Sequence, residues 1–579
     1  MKKAPDIQQR ESALAQASFS DSVSPLLQRL YSARGVFDDA ASKLDLSQLL
    51  PPKMKGMEQA VARLQHAFEQ DEHILIVGDF DADGATSSAL ALRVLRAFGA
   101  QRVEFLVPNR FEYGYGLTTE IVEVAAETSP DLIVTVDNGI SSIDGVALAN
   151  TKGIDVLVTD HHLPGDQLPH ACAIVNPNQA GCPFPSKALA GVGVMFYVLS
   201  ALRAALTASG WFEKQGLATP KMADYLDLVA LGTVADVVPL DRNNRILVAQ
   251  GIRRIRAGLA SPGIYALLEA GKRDPAVLQA SDLGFVVGPR LNAAGRLDDM
   301  SLGIRCLLTD STEVARELAS ELDSLNRERR EIEQGMQEEA LRFLDNLKLD
   351  DTSLPLGITL HDDTWHPGVV GLVASRIKER FHRPVIAFAP EDEYTLKGSG
   401  RSISGVHIRD VLDLVSKRCP GVILKFGGHA MAAGLSIPRN RLADFEQAFA
   451  HCIAETTAPE LFAAKLFSDG ELKGVDLVQD TAQQLQDAGP WGQQFPEPRF
   501  DGEFLLINQR IVGEKHLKLV VAPLDAPQQA IDAIAFNVDL AQWPNPNAQR
   551  VQLFYGLDIN HFRGNTQLQL MVESLQAST

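Results

Sequence analysis

Residues 74–90 read ILIVGDFDADGATSSAL, and this stretch decides how the chain is read. Four apolar residues, Ile74 to Val77, run straight towards Asp79, Asp81 and Asp83, and Gly84 then opens a run of helical character. A continuous apolar run marks a strand buried on both faces, the kind found in parallel sheets. On an extended segment the three acids, at alternate positions, project from one side at spacings of roughly 6–7 Å. Carboxylates so placed repel one another unless a cation lies between them.

The same pattern recurs downstream. VEFLVPNR (103–110), DLIVTVDN (131–138), IDVLVTDHH (154–162) and ACAIVN (171–176) are further apolar runs, separated by helical segments. Strands alternating with helices predict a parallel α/β sheet. Ligands of such sheets bind beyond the carboxyl ends of the strands. Three strand ends therefore bring Asp79, Asp81 and Asp83, then Asp137, then Asp160, His161 and His162 to one edge. A single acid after a strand is ordinarily a helix N-cap. Three such ends, one carrying two histidines, point instead to a metal site. Carboxylates with imidazole and no thiolate favour Mn²⁺ or Mg²⁺ over structural zinc. The number of acids suggests two ions, which can activate water and clamp the attacking and leaving oxygens of a phosphoryl displacement. Asp236, after the apolar run in GTVADVVPL, either completes the set or is a turn or N-cap residue.

The formal charge is 54 − 73 = −19 over 579 residues, a weak argument against nonspecific nucleic-acid binding. It leaves room for a locally basic channel, and acids around a metal are not free charge. With 45% apolar residues the chain is globular, and its length predicts three or four domains. Five cysteines without a CxxC make no disulfide framework, and the spacing of His170, Cys172 and Cys182 fits no zinc pattern. The N-terminus has basic residues with no apolar segment behind them, unlike a signal peptide. Ala188 to Leu202 is shorter than the roughly 20 residues of a bilayer span and reads as a buried helix. A cytoplasmic, soluble chain is expected.

The expected organisation is an N-terminal extension (1–50), an α/β catalytic domain (51–310), a long connecting helix (311–350), a smaller α/β domain (351–457) and a β-rich OB-type barrel (463–579). Leu318, Leu322, Leu325, Ile332, Met336, Phe343 and Leu347 form an apolar stripe on that helix. It reads as a solvated connector rather than an oligomerising coiled coil, holding the two α/β domains around a cleft. Phosphates need positive charge or free N–H groups. Candidates are Arg110, near the metal edge, and Arg290, Asn292 and Arg296 in GPRLNAAGR, read as a loop. The smaller domain offers Ser399, Arg401 and Ser402 in GSGRSISG, and His429 beside Gly427 and Gly428. In the β-rich region Phe500, Phe504, Phe554, Tyr555 and Phe562, with Lys515, Lys518 and Arg563, are candidates for a stacking groove, at least half the aromatics being core.

DFDADG, TVDNG, TDHH and GTVADVVPL resemble the four motifs of the DHH phosphoesterases, and HPGVVGLVASRI and FGGHAMAAG resemble the DHH-associated domain. The resemblance spans about residues 70–435 in the family's order. Chain length, GPRLNAAGR and the β-rich C-terminal part make it similar to the branch of single-strand-specific 5′→3′ DNA exonucleases. The resemblance implies metal-dependent hydrolysis of single-stranded DNA to 5′-mononucleotides in DNA recombination and repair. It makes Asp81 and Asp83 metal ligands, Asp79 a ligand or close neighbour of one, and Asp137 the acid between two metals. His161 and Asp236 are further ligands, His162 contacts the scissile phosphate and Asp160 orients its neighbours. It also implies DNA contacts from the GRS and GGH segments, a pocket for a 5′-terminal phosphate, and a single-strand-binding protein and a helicase as partners. A monomer is the simplest expectation. Two alternatives are a phosphodiesterase or pyrophosphatase for small nucleotides and an inactive nucleic-acid-binding replication scaffold. A scaffold would have lost metal ligands, and here every expected position is filled.

Overall fold

A computed structural model describes residues 6–107, 113, 115–346, 355–562 and 565–578, except the side chains of 343–346, 561, 562 and 565. Its contacts divide into two units. One comprises residues 11–326 with 477–498; the other comprises the residues up to Arg10, 327–476 and 499–579.

The first unit is built on a five-stranded parallel sheet in the order Val103–Leu106, Ile74–Gly78, Leu132–Val136, Asp155–Thr159, Ala173–Val175. Ile74, Ile76, Leu132, Val134 and Leu157 belong to one core, with helices Met57–Glu69, Ala82–Phe98 and Gly191–Ala208. Leu75, Val77, Ile133, Val156 and Val158 belong to another, with helices Thr119–Glu127 and Ile143–Thr151. Successive strand residues point to opposite faces, so a sheet covered on both sides needs apolar residues at every position. Helix Gly191–Ala208 has the length and apolarity of a membrane span, yet most of it is buried in this core.

GPRLNAAGR is helical rather than a loop: residues Gly288–Leu297 form an α-helix entered through one π-helical turn, Leu283–Val287. Pro289 is tolerated in its first turn, where no intrahelical donor is lost. Segment 477–498 also departs from the linear division, because its apolar residues complete this unit and not the barrel. Trp491 and Phe495 stack at 5.1 Å, the Arg245 guanidinium lies 3.8 Å over Phe495, and Tyr31 Oη donates to Ala488 O at 3.1 Å. The N-terminal region is likewise divided, since Asp6–Gln9 pairs in parallel with Lys465–Ser468.

In the second unit a five-stranded sheet runs in the order Lys425–Gly428, Ala432–Pro438, Thr395–Arg401, Val385–Pro390, Ile358–His361, with only the last pair parallel. A closed five-stranded barrel follows, made of Phe500–Val512, His516–Pro523, Ile531–Ala535, Asn565–Ser578 and Arg550–Phe562. Phe500, Phe504, Phe554 and Tyr555 are all buried in it, and Lys518 pairs with Asp532 at 2.8 Å, so these aromatics are core rather than groove. Arg563 and the Phe562 side chain lie outside the described residues.

Helix Thr312–Asn346 buries Ala315, Ala319, Leu322, Asn326, Arg329, Glu333, Met336 and Ala340. This stripe shares Leu322 and Met336 with the one the sequence suggests, and Leu318 and Leu325 pack beside it, but alanines and paired polar residues fill its other positions. Arg329 meets Glu333 at 2.8 Å, and Arg376 meets Glu333 at 2.9 Å. One face of the helix is therefore packed from Ala315 to Ala340, and the opposite face is exposed.

Candidate metal centre

The strand register places the acids. Gly78 pairs with Val136 and Val136 with Thr159, so the next residues, Asp79, Asp137 and Asp160, fall in one row across three neighbouring strands. The sheet order reverses between Ile74–Gly78 and Leu132–Val136, and such a switch point is where α/β sheets bind ligands.

The acids do not alternate on an extended strand as the sequence spacing suggests. Asp79 ends the strand, and its Oδ1 accepts from Phe80 N at 2.8 Å. Asp81 is the N-cap of helix Ala82–Phe98, accepting from Asp83 N (2.8 Å) and Gly84 N (3.0 Å). Asp83 lies inside the helix, where its carboxylate accepts from Gly191 N (2.6 Å) and Val192 N (2.9 Å). The chain must turn tightly here: a Cβ at Gly84 would lie 2.3 Å from Asp79 O. Helix formation wins over extension because the N-cap bonds satisfy donors that otherwise go unpaired.

Asp137 adopts a left-handed conformation, φ 62°, which Asp tolerates better than most residues. Asn138 fixes this turn by donating to Val77 O (3.0 Å) and Val136 O (2.9 Å). Asp236 follows helix Leu226–Ala235 as its C-cap. His161 Nε2 lies 3.1 Å from Asp137 Oδ1 and 3.4 Å from Asp236 Oδ2.

Ligand atoms of Asp79, Asp81 and Asp137 lie within 4.8 Å of one another, as do those of Asp83, His161 and Asp236, and those of Asp137, His161 and His162. The structure thus gathers all the expected ligands, from positions 157 residues apart, at one place (236 − 79 = 157). Asp137 Oδ1 and Asp236 Oδ2 are buried and accept no hydrogen bond among the described residues. Burial first, and then the charge of Asp81, raises the Asp83 carboxyl to about 7. Burial and the neighbouring acids push Asp137 and Asp236 well above the usual carboxylate range. Buried, mutually repelling carboxylate oxygens beside one imidazole fit a divalent cation.

His162 Nδ1 lies 2.8 Å from Asp160 Oδ1. Burial opposes a charge on His162, but the hydrogen bond and charge of Asp160, with Asp79 and Asp81 behind it, raise its pKa to about 9. Asp160 is itself buried, yet the bond from His162 and the Ile140 N–H hold its carboxyl below the usual range. The two residues thus face each other across a hydrogen bond that favours a proton on His162 and charge on Asp160.

Sequence reasoning missed Tyr115. Its Oη is 3.2–3.3 Å from the His162 ring nitrogens and 3.3 Å from Asp137 O, and its ring packs edge-on to Phe80. It also missed Asn176 and Asn178, which donate to the carbonyls of His162 (2.9 Å) and His161 (2.5 Å). The sequence carried a signal for Asn176, which ends its strand as Asp79 and Asp137 end theirs; nothing marked Tyr115.

The substrate-binding candidates divide. Arg110 lies outside the described residues. Arg290 is buried, with Nε and Nη2 on Asp323 Oδ1 (3.0 and 2.8 Å) and Nη1 on Val286 O (2.6 Å), so its charge is committed within the fold. Asn292 Oδ1 accepts from Ala82 N at 2.8 Å, which ties its helix to the metal loop, and Arg296 lies half-buried one turn on. Ser402 is buried, and its Oγ donates to Val406 O at 2.6 Å to close a turn. It is not presented to a ligand. Ser399 and Arg401 share a sheet face, where Arg401 Nη1 reaches Ser399 Oγ at 3.1 Å. Ser399 pairs with Gly434 and Gly434 with Gly427, so two glycines with open space at their Cβ positions extend this face. Gly428 has φ +137°, and exposed His429 follows it.

Three family models match the chain in succession. The DHH family N-terminal domain matches residues 73–233, the DHHA1 domain 354–455 and the RecJ OB domain 468–574. The chain is 54% identical over 576 residues to the single-stranded-DNA-specific exonuclease RecJ of Salmonella typhimurium, covering 99% of this chain and 100% of that one. It is 55% identical over 552 residues to the RecJ of Escherichia coli, covering 95% and 96%. The crystal structure of RecJ in complex with Mn²⁺ from Thermus thermophilus superposes with a TM-score of 0.79 at 30% identity, covering 96% of this chain and 76% of that one. A Mg²⁺ complex of RecJ from the same organism gives 0.73 at 28% identity, covering 96% and 75%. The chain belongs to the RecJ family of single-stranded-DNA-specific exonucleases.

Proposed function

We propose that this chain degrades single-stranded DNA from its 5′ end to 5′-mononucleotides, using two divalent cations held by Asp79, Asp81, Asp83, Asp137, His161 and Asp236. The gathering of these ligands in overlapping groups, with Asp137 and His161 each in two of them, is the observation that carries it. The RecJ structures with Mn²⁺ and Mg²⁺ support those ions. When bound, the cations supply Lewis-acid charge that favours deprotonation of water and neutralises phosphate oxygens.

The chain's own groups do the rest. Asp81 and Asp83 are fixed by backbone N–H groups before any ligand arrives, so the carboxylates need little reorganisation. His162, cationic and oriented by Asp160, donates to the scissile phosphate as charge builds on it. Water attacks the first internucleotide phosphorus, the bond to the 3′ oxygen breaks, and a 5′-mononucleotide leaves behind a new 5′-phosphate end. In the second unit the Ser399, Arg401 and Gly427–His429 face takes DNA phosphates, including a 5′-terminal one. A single-strand-binding protein and a helicase as partners, and a monomeric state, belong to the same proposal.

Hydrolysis of a single-stranded oligonucleotide, its duplex, a dinucleotide and pyrophosphate under one metal tests this function. Preference for the single strand supports it. Preference for the dinucleotide or pyrophosphate would make this a small-substrate phosphodiesterase, and tight binding with no hydrolysis would make it a scaffold.

A further inference from the structure

The segment Leu283–Leu297 runs along the wall of the metal centre. A Cβ at Gly288 would lie 3.1 Å from the Ala235 Cβ, beside Asp236, and a Cβ at Gly295 would lie 1.8 Å from Phe80 O, beside Asp79 and Asp81. Asn292 between them bonds Ala82 N at 2.8 Å. The residues of this segment that are not buried are Gly284, Phe285, Pro289, Asn292, Arg296 and Leu297. Positions 285, 289, 292 and 296 follow the spacing of a single helical stripe. From the contact between Asn292 and Ala82 the stripe rises about 10 Å along the axis to Phe285.

Phe285 is 78% exposed, while its neighbours Leu283, Val286 and Val287 are buried. It sits in the π-helical turn, where the extra residue per turn lets the backbone keep those three in the core and turn Phe285 outward. π-Helical turns concentrate at functional sites. A lone exposed aromatic needs no explanation. One that a rare turn sets on a stripe continuous with the metal loop does.

We propose that Phe285 is a stacking platform for a nucleobase of the single strand close to the scissile linkage, with Pro289 extending its apolar surface towards the centre. The proposal rests on the single-strand exonuclease function. Every base has a π-face, so such a platform is indifferent to sequence. A base inside a duplex has both faces stacked on its neighbours, so only an unpaired base can leave the stack at little cost to lie on the platform, which therefore also favours single strands.

The test couples Phe285 to individual bases. Oligonucleotides with one abasic residue at successive positions from the 5′ end are hydrolysed by the parent, Phe285→Ala and Phe285→Trp. At one position the abasic substrate should raise the parent's KM about tenfold. Phe285→Ala should raise KM by the same factor on the intact strand, with kcat nearly unchanged, and add nothing on that abasic substrate. Phe285→Trp should retain parental KM. Equal losses for Phe285→Ala on intact and all abasic strands, or no loss at all, would overturn the proposal. If the parent itself leaves the intact strand whole, the exonuclease function fails rather than this refinement of it.

Discussion

The carboxylate of Asp83 accepts hydrogen bonds from the first two N–H groups of helix Gly191–Ala208, Gly191 at 2.6 Å and Val192 at 2.9 Å. A metal-centre acid is thereby anchored at the positive end of a buried helix, and the helix has its N-terminal donors satisfied. The same glycine faces Asp137: a Cβ on Gly191 would lie 2.6 Å from Asp137 Oδ1. One residue therefore sets the spacing between two acids that arrive on different elements, Asp83 on a helix and Asp137 after a strand.

Gly191→Ala should consequently displace Asp137 and Asp83 together. A misplacement of about 1 Å at a catalytic constellation can lower the rate roughly 100-fold. We expect a loss of that order in kcat with weaker Mn²⁺ binding by calorimetry. Parental Mn²⁺ affinity in the variant would show that this contact does not position the acids.

Asp160 and His162 act as one element, since a hydrogen-bond donor lost at developing negative charge lowers kcat by about 10²–10³-fold. His162→Gln should fall in that range with KM for DNA little changed. Asp160→Asn should reproduce much of the loss without touching substrate. A change in KM alone for either variant would move the pair from catalysis to binding.

The metal-free acids make stability depend on pH. Burial raises Asp83 to about 7, and Asp137 and Asp236 well above the usual 3.8. Groups whose folded pKa is raised hold protons that the unfolded chain has released, so their stabilisation is complete below about 3.8 and is lost as pH rises through the folded values. In chelator, Tm should fall between about pH 5 and pH 8. Added Mn²⁺ should raise it, more at pH 8 than at pH 5, as the ion replaces the protons. Melting curves with and without Mn²⁺ that show the same offset at every pH would exclude this coupling.

Arg290 separates fold from function. It is buried against Asp323 at 2.8 Å, and breaking a buried pair by removing one partner typically costs about 3–5 kcal/mol. Arg290→Gln should lower the denaturation midpoint accordingly. Arg401→Gln, on the glycine-floored face, should instead raise KM for 5′-phosphorylated DNA with a near-parental midpoint. The reverse assignment of the two effects would show that Arg290 meets the substrate.

Much of this was legible in the sequence. The apolar run Ile74–Val77 announces a strand covered on both faces, and acids at successive strand ends announce an edge site, because side-chain chemistry alone requires both. What was hidden depends on partners remote in the chain. Arg290 reads as a phosphate ligand until Asp323, 33 positions later, is seen to hold it. GPRLNAAGR reads as a loop because its glycines suggest flexibility, whereas Gly295 leaves room for the Phe80 carbonyl, whose oxygen would lie 1.8 Å from a Cβ there. The stripe of the long helix was legible at Leu322 and Met336 only, because Ala315, Ala319 and the paired Arg329 and Glu333 carry little apolar signal. Tyr115 had no pattern to mark it, and only the fold brings its hydroxyl to His162.

The central claim is that these acids hold cations that cut a single strand from its 5′ end. Asp81→Asn is a clean probe, because asparagine keeps the N-cap bonds to Asp83 N and Gly84 N while removing the charge. A single-stranded oligonucleotide labelled at either end is incubated with Mn²⁺, Mg²⁺ or chelator, with parent and Asp81→Asn. Labelled mononucleotide should appear first from the 5′-labelled strand, only with metal, and be lost in the variant. Release first from the 3′ label, or turnover that persists in chelator or in Asp81→Asn, would contradict the account.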